Sequence, residues 1–335
     1  MDLSTHRTAV GTPAIPALER MARDALGACH ADLEAARRIV LSSRAPTGIH
    51  GTRVALRRLR AAATLLGRPL ANEPILDLRA DAKRLADACG PTRDLDVFLA
   101  GVLTEIEKAF AEHADLAAEL RNLRAVALRL RRTRHDAVRT TLSGDTFAAF
   151  EARLAALLAS PEPGTALPQL LASPAADRSE LAGIAVVPDA LEFARDVLRR
   201  RDRKLRKLLK KFDELDGAAR HQVRLRVKKQ RYAASFLAGL FDRKRAAAYI
   251  HAAAGLQDAL GFANDRAVAA HVVSDIRAAA RPKGRLDWVA GAVTGWLEMQ
   301  ARAVDEDRAI AAAAKRFRQA PRFWRGAVQE DEGTG

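Results

Sequence analysis

Apolar residues recur along this chain at spacings of three and four, and no stretch alternates with a period of two. Leu56, Leu59, Ala63 and Leu66 form one such stripe, and Val227, Ala234 and Leu237 form another. That period gathers apolar side chains on one face of an α-helix, so the pattern predicts an all-α protein. The predicted helices cover residues 17–43, 47–66, 73–89, 93–112, 115–142, 145–159, 189–215, 218–240, 242–260, 264–280 and 286–319. The stretch 160–188 contains Pro161, Pro163, Pro168, Pro174 and Pro188, and proline breaks the helical hydrogen-bond ladder. The expected organisation is a disordered lead-in (1–16), a first helical repeat (17–159), a Pro-rich linker (160–188), a second helical repeat (189–325) and a polar tail (326–335).

The two repeats align. Placing His50 over His221, an offset of 171, puts Arg53 on Arg224, Arg57 on Lys228, Arg58 on Lys229 and Arg60 on Arg231. The same offset, continued without gaps, puts Leu85 on Leu256, Asp87 on Asp258, Gly90 on Gly261, Asp94 on Asp265 and Val97 on Val268. Each half is therefore expected to be an antiparallel helical bundle, the two related by an approximate twofold axis.

Polar positions on the repeated helix carry the candidate chemistry. With about 100° per residue and His50 at zero, Arg57 falls near −20°, Arg53 near −60°, Arg60 near −80° and Arg58 near +80°, opposite the Leu56–Leu66 stripe. The second copy repeats this with His221, Arg224, Lys228, Lys229 and Arg231. A guanidinium presents a planar fork of donors to two phosphate oxygens, and a lysine supplies a movable point charge. Histidine among arginines donates a hydrogen bond and gains charge when an anion arrives. Cations one turn apart make a ladder that suits a linear ligand with repeating negative charge. The ordinary alternative is a solvated basic surface, but the same His-to-Arg spacing in both copies favours function. Arg132, from the basic stretch 121–139, joins the candidates. So do Arg203, Lys204 and Lys207, predicted to share one side of the stretch 199–211. The segments following Gly90 and Gly261 read as helix junctions, with Thr92 or Asn264 capping the next helix.

Composition fits this picture. The chain has 56 Lys+Arg against 41 Asp+Glu, a formal net charge of +15, which suits a polyanionic partner. Aromatic residues make up only 5%, too sparse for an evident base-stacking platform, so nucleic acid is the less favoured polyanion. Cys29 and Cys89 lack metal-ligand spacing and read as small core hydrophobes in a reducing compartment. No apolar run approaches the roughly 18–20 residues of a membrane span, and Met1–Val10 lacks the apolar core of a signal peptide, so a soluble cytoplasmic protein is expected. No phosphate-binding Gly-rich loop, H-E-x-x-H motif or carboxylate cluster marks a catalytic or metal centre, and no cofactor is implied.

These residues resemble the CHAD domain, the conserved histidine α-helical domain. Its pattern of a His followed by R-V-x-x-R-R-x-R matches residues from His50 through Arg53-Val54 and Arg57-Arg58 to Arg60. Its L-G-x-x-R-D-x-D-V pattern matches Cys89 to Val97, with Cys89 in place of leucine, and the second half follows a looser version from His221 to Asp265. The resemblance implies two helical-bundle halves around a basic central groove or pore. It also implies binding of inorganic polyphosphate, often on polyphosphate granules. Carried over by position, the ligand set is His50, Arg53, Arg57, Arg58, Arg60, Lys83, Arg93, His221, Arg224, Lys228, Lys229 and Arg231. Lys83 and Arg93 align with Ala254 and Asn264, so the first half is expected to grip harder. The triphosphatase domain found in some relatives is not expected, because Glu105-Ile106-Glu107-Lys108 has the wrong spacing for its E-x-E-x-K motif. A non-enzymatic polyphosphate binder leads; a nucleic-acid binder and a phosphate-handling enzyme are the alternatives.

Overall fold

In the computed structural model, described for residues 14–67, 73–159, 190–280, 284–303 and 306–325, the chain is helical throughout and has no β-strand among those residues. The helices are α1 (Ala14–Ser42), α2 (Pro46–Leu66), α3 (Glu73–Ala88), α4 (Gly90–Ala100), α5 (Val102–Ala109), α6 (Ala114–Ser143) and α7 (Asp145–Ala159). They continue with α8 (Ala190–Leu209), α9 (Gly217–Leu237), α10 (Arg243–Ala259), α11 (Phe262–Ala279), α12 (Gly284–Ala303) and α13 (Glu306–Gln319). A short 3-10 turn, Phe323–Arg325, follows. Most of the predicted lead-in, the Pro-rich linker and the polar tail lie outside the described residues.

The two motif-bearing helices have matching bounds. An offset of 171 carries both ends of α2 onto both ends of α9, and carries the end of α3 at Ala88 onto the end of α10 at Ala259. Sequence periodicity also assigns the buried stripes correctly: Leu56, Leu59, Ala63 and Leu66 are buried on α2, as are Val227, Ala234 and Leu237 on α9.

Three features differ from the sequence expectation. The predicted helix 93–112 begins at Gly90 and breaks at Gly101, where Thr104 Oγ1 donates to the Leu99 carbonyl at 2.9 Å. Thr92 does not cap α4: it is buried within the helix, and its hydroxyl has no partner among the described residues. The predicted helix 286–319 is divided between α12 and α13, because the two parts serve different cores.

Those cores do not divide the chain at the boundary between its halves. One joins α1, α2, α3, α7 and the end of α6 to α8, α9, α10 and α13. The other joins α4, α5 and the first part of α6 to α11 and α12. Each core therefore contains helices from both repeats, where two self-contained bundles are expected from the sequence. Helices α1 and α2 approach closely because Gly48 and Gly51 lie between them; a Cβ at Gly51 would stand 2.8 Å from the Cβ of Ala36. Burial pushes the thiols of Cys29 and Cys89 up to about 11 and about 12, in keeping with inert core residues.

Candidate functional site: a cationic face between α2 and α9

The apolar stripes of α2 and α9 turn inward, and the two helices pack on each other. Their remaining faces bring cations from both copies together. Lys228 on α9 is half-buried, and its pKa falls to about 8. Burial is the main cause, followed by Arg57, then Arg224, with Arg60 and Arg53 adding to it. Three of those four arginines belong to α2. Tyr232 links the copies directly: Arg57 Nε donates to its hydroxyl at 2.5 Å, and the Arg231 guanidinium lies over its ring at 4.9 Å. Tyr232 is buried, so it braces arginines rather than offering a stacking surface.

His50 stands at the exposed end of this face. What covering the ring has, followed by Arg93, Arg57 and Arg53, pulls its pKa below the usual imidazole range, against an opposing pull from Asp96. Its surroundings disfavour the charged ring, and an incoming anion would favour its protonation.

The first copy is held firmly. Arg53 Nη1 donates to the Ala86 carbonyl at 3.0 Å and lies against Gly90, where a Cβ would stand 2.9 Å from that nitrogen. A side chain at position 90 would displace the end of Arg53. Asp94 is surrounded by Arg53, His271, Arg93 and Arg134, yet burial dominates and raises its pKa. Asp96 is buried and accepts from Arg131 Nε at 2.5 Å, while Arg131 Nη2 donates to the Arg44 carbonyl at 2.8 Å. Asp96 thus anchors α6 to α4. In the second half Ala267 occupies its place.

The candidates therefore separate. His50, Arg53, Arg57, Arg60 and Arg93 converge with Arg224, Lys228 and Arg231. Arg60 Nε and Arg224 Nε are buried with no partner among the described residues, and Arg231 Nε donates to Gln257 Oε1 at 3.2 Å. Arg58 turns away and pairs with Asp32 on α1, as its +80° position allows. Lys83 is exposed and paired with Asp87 at 2.7 Å. His221 and Lys229 are exposed on α9, and Arg132 is exposed on α6. Arg203, Lys204 and Lys207 do not share one setting: Arg203 and Lys207 line a recess on α8 that Lys204 does not enter.

Sequence reasoning missed Arg134 and His271, which reach Asp94 from α6 and α11. No spacing within the repeat signals them, since they meet the site only through the second core. It also missed the one group among the described residues arranged for a metal ion: His30 and Glu34 on α1 and Glu151 on α7, with donor atoms within 4.8 Å of one another. The His30–Glu34 spacing of one helical turn was the available signal, but Glu151 is remote in sequence. This group shares no residue with the cationic face.

The family model described as CHAD domain matches residues 24–274. The fold is similar to the crystal structure of the CHAD domain from the plant Ricinus communis, at 24% identity and a TM-score of 0.71, covering 98% of this chain and 100% of that one. It is also similar to PptA from Streptomyces chartreusis, at 18% identity and a TM-score of 0.55, covering 94% of this chain and 100% of that one. No curated protein matches the sequence.

Proposed function

The chain belongs to the CHAD domain family, and on that premise we propose that it binds inorganic polyphosphate along the face shared by α2 and α9, without chemical turnover. Lys228 carries the reading. It lies among arginines from both repeats, and its pKa is lowered first by burial and then by those arginines. Like charges gathered on a half-buried face repel, and a bound polyanion relieves that repulsion. The ladder on each helix matches a linear ligand, and half-buried guanidiniums hold their geometry better than exposed ones. Affinity arises largely from counterion release and falls steeply with salt, by analogy with nucleic-acid backbones.

Polyphosphate granules in the cytoplasm are the proposed location. No described helix is long and apolar enough to cross a membrane. Arg57→Glu combined with Lys228→Glu reverses one charge on each helix. In a titration with long-chain polyphosphate, this variant should lose binding by more than a hundredfold while keeping its helical circular dichroism. Unchanged affinity would remove the face from the account. Displacement of polyphosphate by DNA or RNA at equal phosphate concentration would favour the nucleic-acid reading, and phosphate release with added magnesium would favour an enzyme.

A further inference from the structure

A second basic concavity lies on α8, outside the face described above. With Asp202 at zero and about 100° per residue, Arg206 falls near 40°, Lys210 near 80°, Arg203 near 100° and Lys207 near 140°. Arg201 falls near −100° on that projection, and it turns the other way to donate to the Lys229 carbonyl of α9 at 3.4 Å. The recess therefore occupies the flank of α8 that faces away from α9. Its opposite wall comes from the end of the described chain, through Arg318, Arg322, Trp324 and Arg325. None of the converging cations of α2 and α9 lines it.

The two walls are bonded to each other. Asp202, 3% exposed, is the only carboxylate in the lining among the described residues. It accepts both oxygens' bonds from Arg206 Nε at 2.8 Å, one from Arg322 Nε at 3.1 Å and one from the Tyr249 hydroxyl at 2.9 Å. Arg206 also donates to the Arg318 carbonyl at 2.6 Å. Behind this network, Tyr249 packs against Phe317, Phe323 and Trp324 with ring centroids 5.0–5.7 Å apart. Asp202 is thus committed to holding two arginines and does not neutralise the others. Arg203, Lys207, Lys210, Arg318 and Arg325 have no side-chain ion pair among the described residues.

We propose that this recess is a separate binding site for a short inorganic run of phosphates, of the size of pyrophosphate or tripolyphosphate. Several uncompensated cations around one small concavity call for a ligand with several charges close together. The volume of about 380 Å³ is at the small end of ligand-sized clefts, which run to about 1,000 Å³. A nucleotide base finds no platform there, because the Trp324 ring is buried and packed edge-on against Tyr249 and Phe323. Recognition therefore resides in the phosphates alone. The α13 and Phe323–Arg325 wall lies beyond the residues matched to the family, and the site stands whether or not the α2–α9 face binds polyphosphate.

Trp324 reports on the recess. The chain contains three tryptophans, so Trp288→Phe with Trp296→Phe leaves Trp324 as the only indole. Tripolyphosphate added at fixed ionic strength should change its emission saturably, and Arg203→Glu with Lys207→Glu should weaken that binding at least tenfold. Arg57→Glu with Lys228→Glu should leave it within twofold. Calorimetric titration of the chain with all three tryptophans, with and without each charge-reversal pair, gives the same comparison if the Trp296 substitution in the second core prevents folding. ATP should bind no more tightly than tripolyphosphate. The proposal is overturned by an absence of saturable binding, by equal loss in both charge-reversal pairs, by sulfate at matched ionic strength competing as well as tripolyphosphate, or by a marked preference for ATP.

Discussion

Helices α2 and α9 have the same length, the same register and nearly the same pattern of cations, yet they are held differently. On α2, Arg53 is bonded to a carbonyl of α3, Arg57 to a tyrosine of α9 and Arg58 to an aspartate of α1. Among the motif cations of α9, only Arg231 donates a side-chain bond within the described residues, and its acceptor is a neutral glutamine. Arg57 is matched by Lys228, whose ammonium is a point charge on a flexible stem. The first copy fixes the direction of its donors, whereas the second supplies charge that adapts. A duplicated motif can thus divide its work, with one copy setting geometry and the other completing the field around a ligand.

The largest effect should come from the anchor that the second copy lacks. Asp96→Ala leaves Arg131 buried without its carboxylate and should cost about 3–5 kcal/mol of stability in urea unfolding. A loss below about 1 kcal/mol would mean that Asp96 does not secure α4 to α6.

Arg57→Ala should lower polyphosphate affinity by about 1.5–3 kcal/mol, the worth of a charged hydrogen bond. Lys228→Ala should cost less and should raise the unfolding midpoint, because it removes repulsion as well as charge. Calorimetry and thermal unfolding check the pair, and equal losses with no stabilisation would erase the distinction between the copies.

Gly90→Ala places a methyl group against the end of Arg53 and should shift its guanidinium, lowering polyphosphate affinity by about 1–1.5 kcal/mol, the net worth of one hydrogen bond, with little change in stability. Calorimetry beside urea unfolding checks this, and unchanged affinity would mean that Arg53 keeps its place. The smallest effect concerns the α9 terminus, where Asp216 accepts from the Ala219 amide at 2.7 Å. Asp216→Ala should cost about 1 kcal/mol of stability and leave polyphosphate affinity unchanged. The matching end of α2 has no side-chain cap and starts at Pro46 instead.

Much of this was legible in the sequence, for identifiable reasons. Periodicity located the helices because each buries one stripe, and the fixed offset revealed α2 and α9 as counterparts to the residue. Opposed apolar and basic faces on each helix followed from the angular positions. Tertiary pairing did not. Nothing local to Lys228 shows that three arginines of the other repeat surround it, and nothing local to Arg58 shows that Asp32 claims it. The three cations chosen on α8 looked equivalent because their spacing alone does not show which flank meets Arg318 and Arg325. The mixing of repeats within each core was hidden for the same reason: an amphipathic stripe states that a helix is covered, and leaves its cover unnamed.

If the cations of α2 and α9 form one phosphate-binding face, the Lys228 amino group must sense the ligand. Its pKa in the folded chain is about 8, against an ordinary value of 10.5. Between those values the unfolded chain holds more protons at this position, so the destabilisation that Lys228 imposes below about 8 is relieved as pH rises toward 10.5. A bound polyanion favours the charged amine, so binding should take up a proton, and affinity should fall as pH rises past 8. Following the labelled Lys228 amine by NMR across pH should give a midpoint near 8 that moves upward when polyphosphate is added. A midpoint near 10.5 that polyphosphate leaves unmoved would contradict the account.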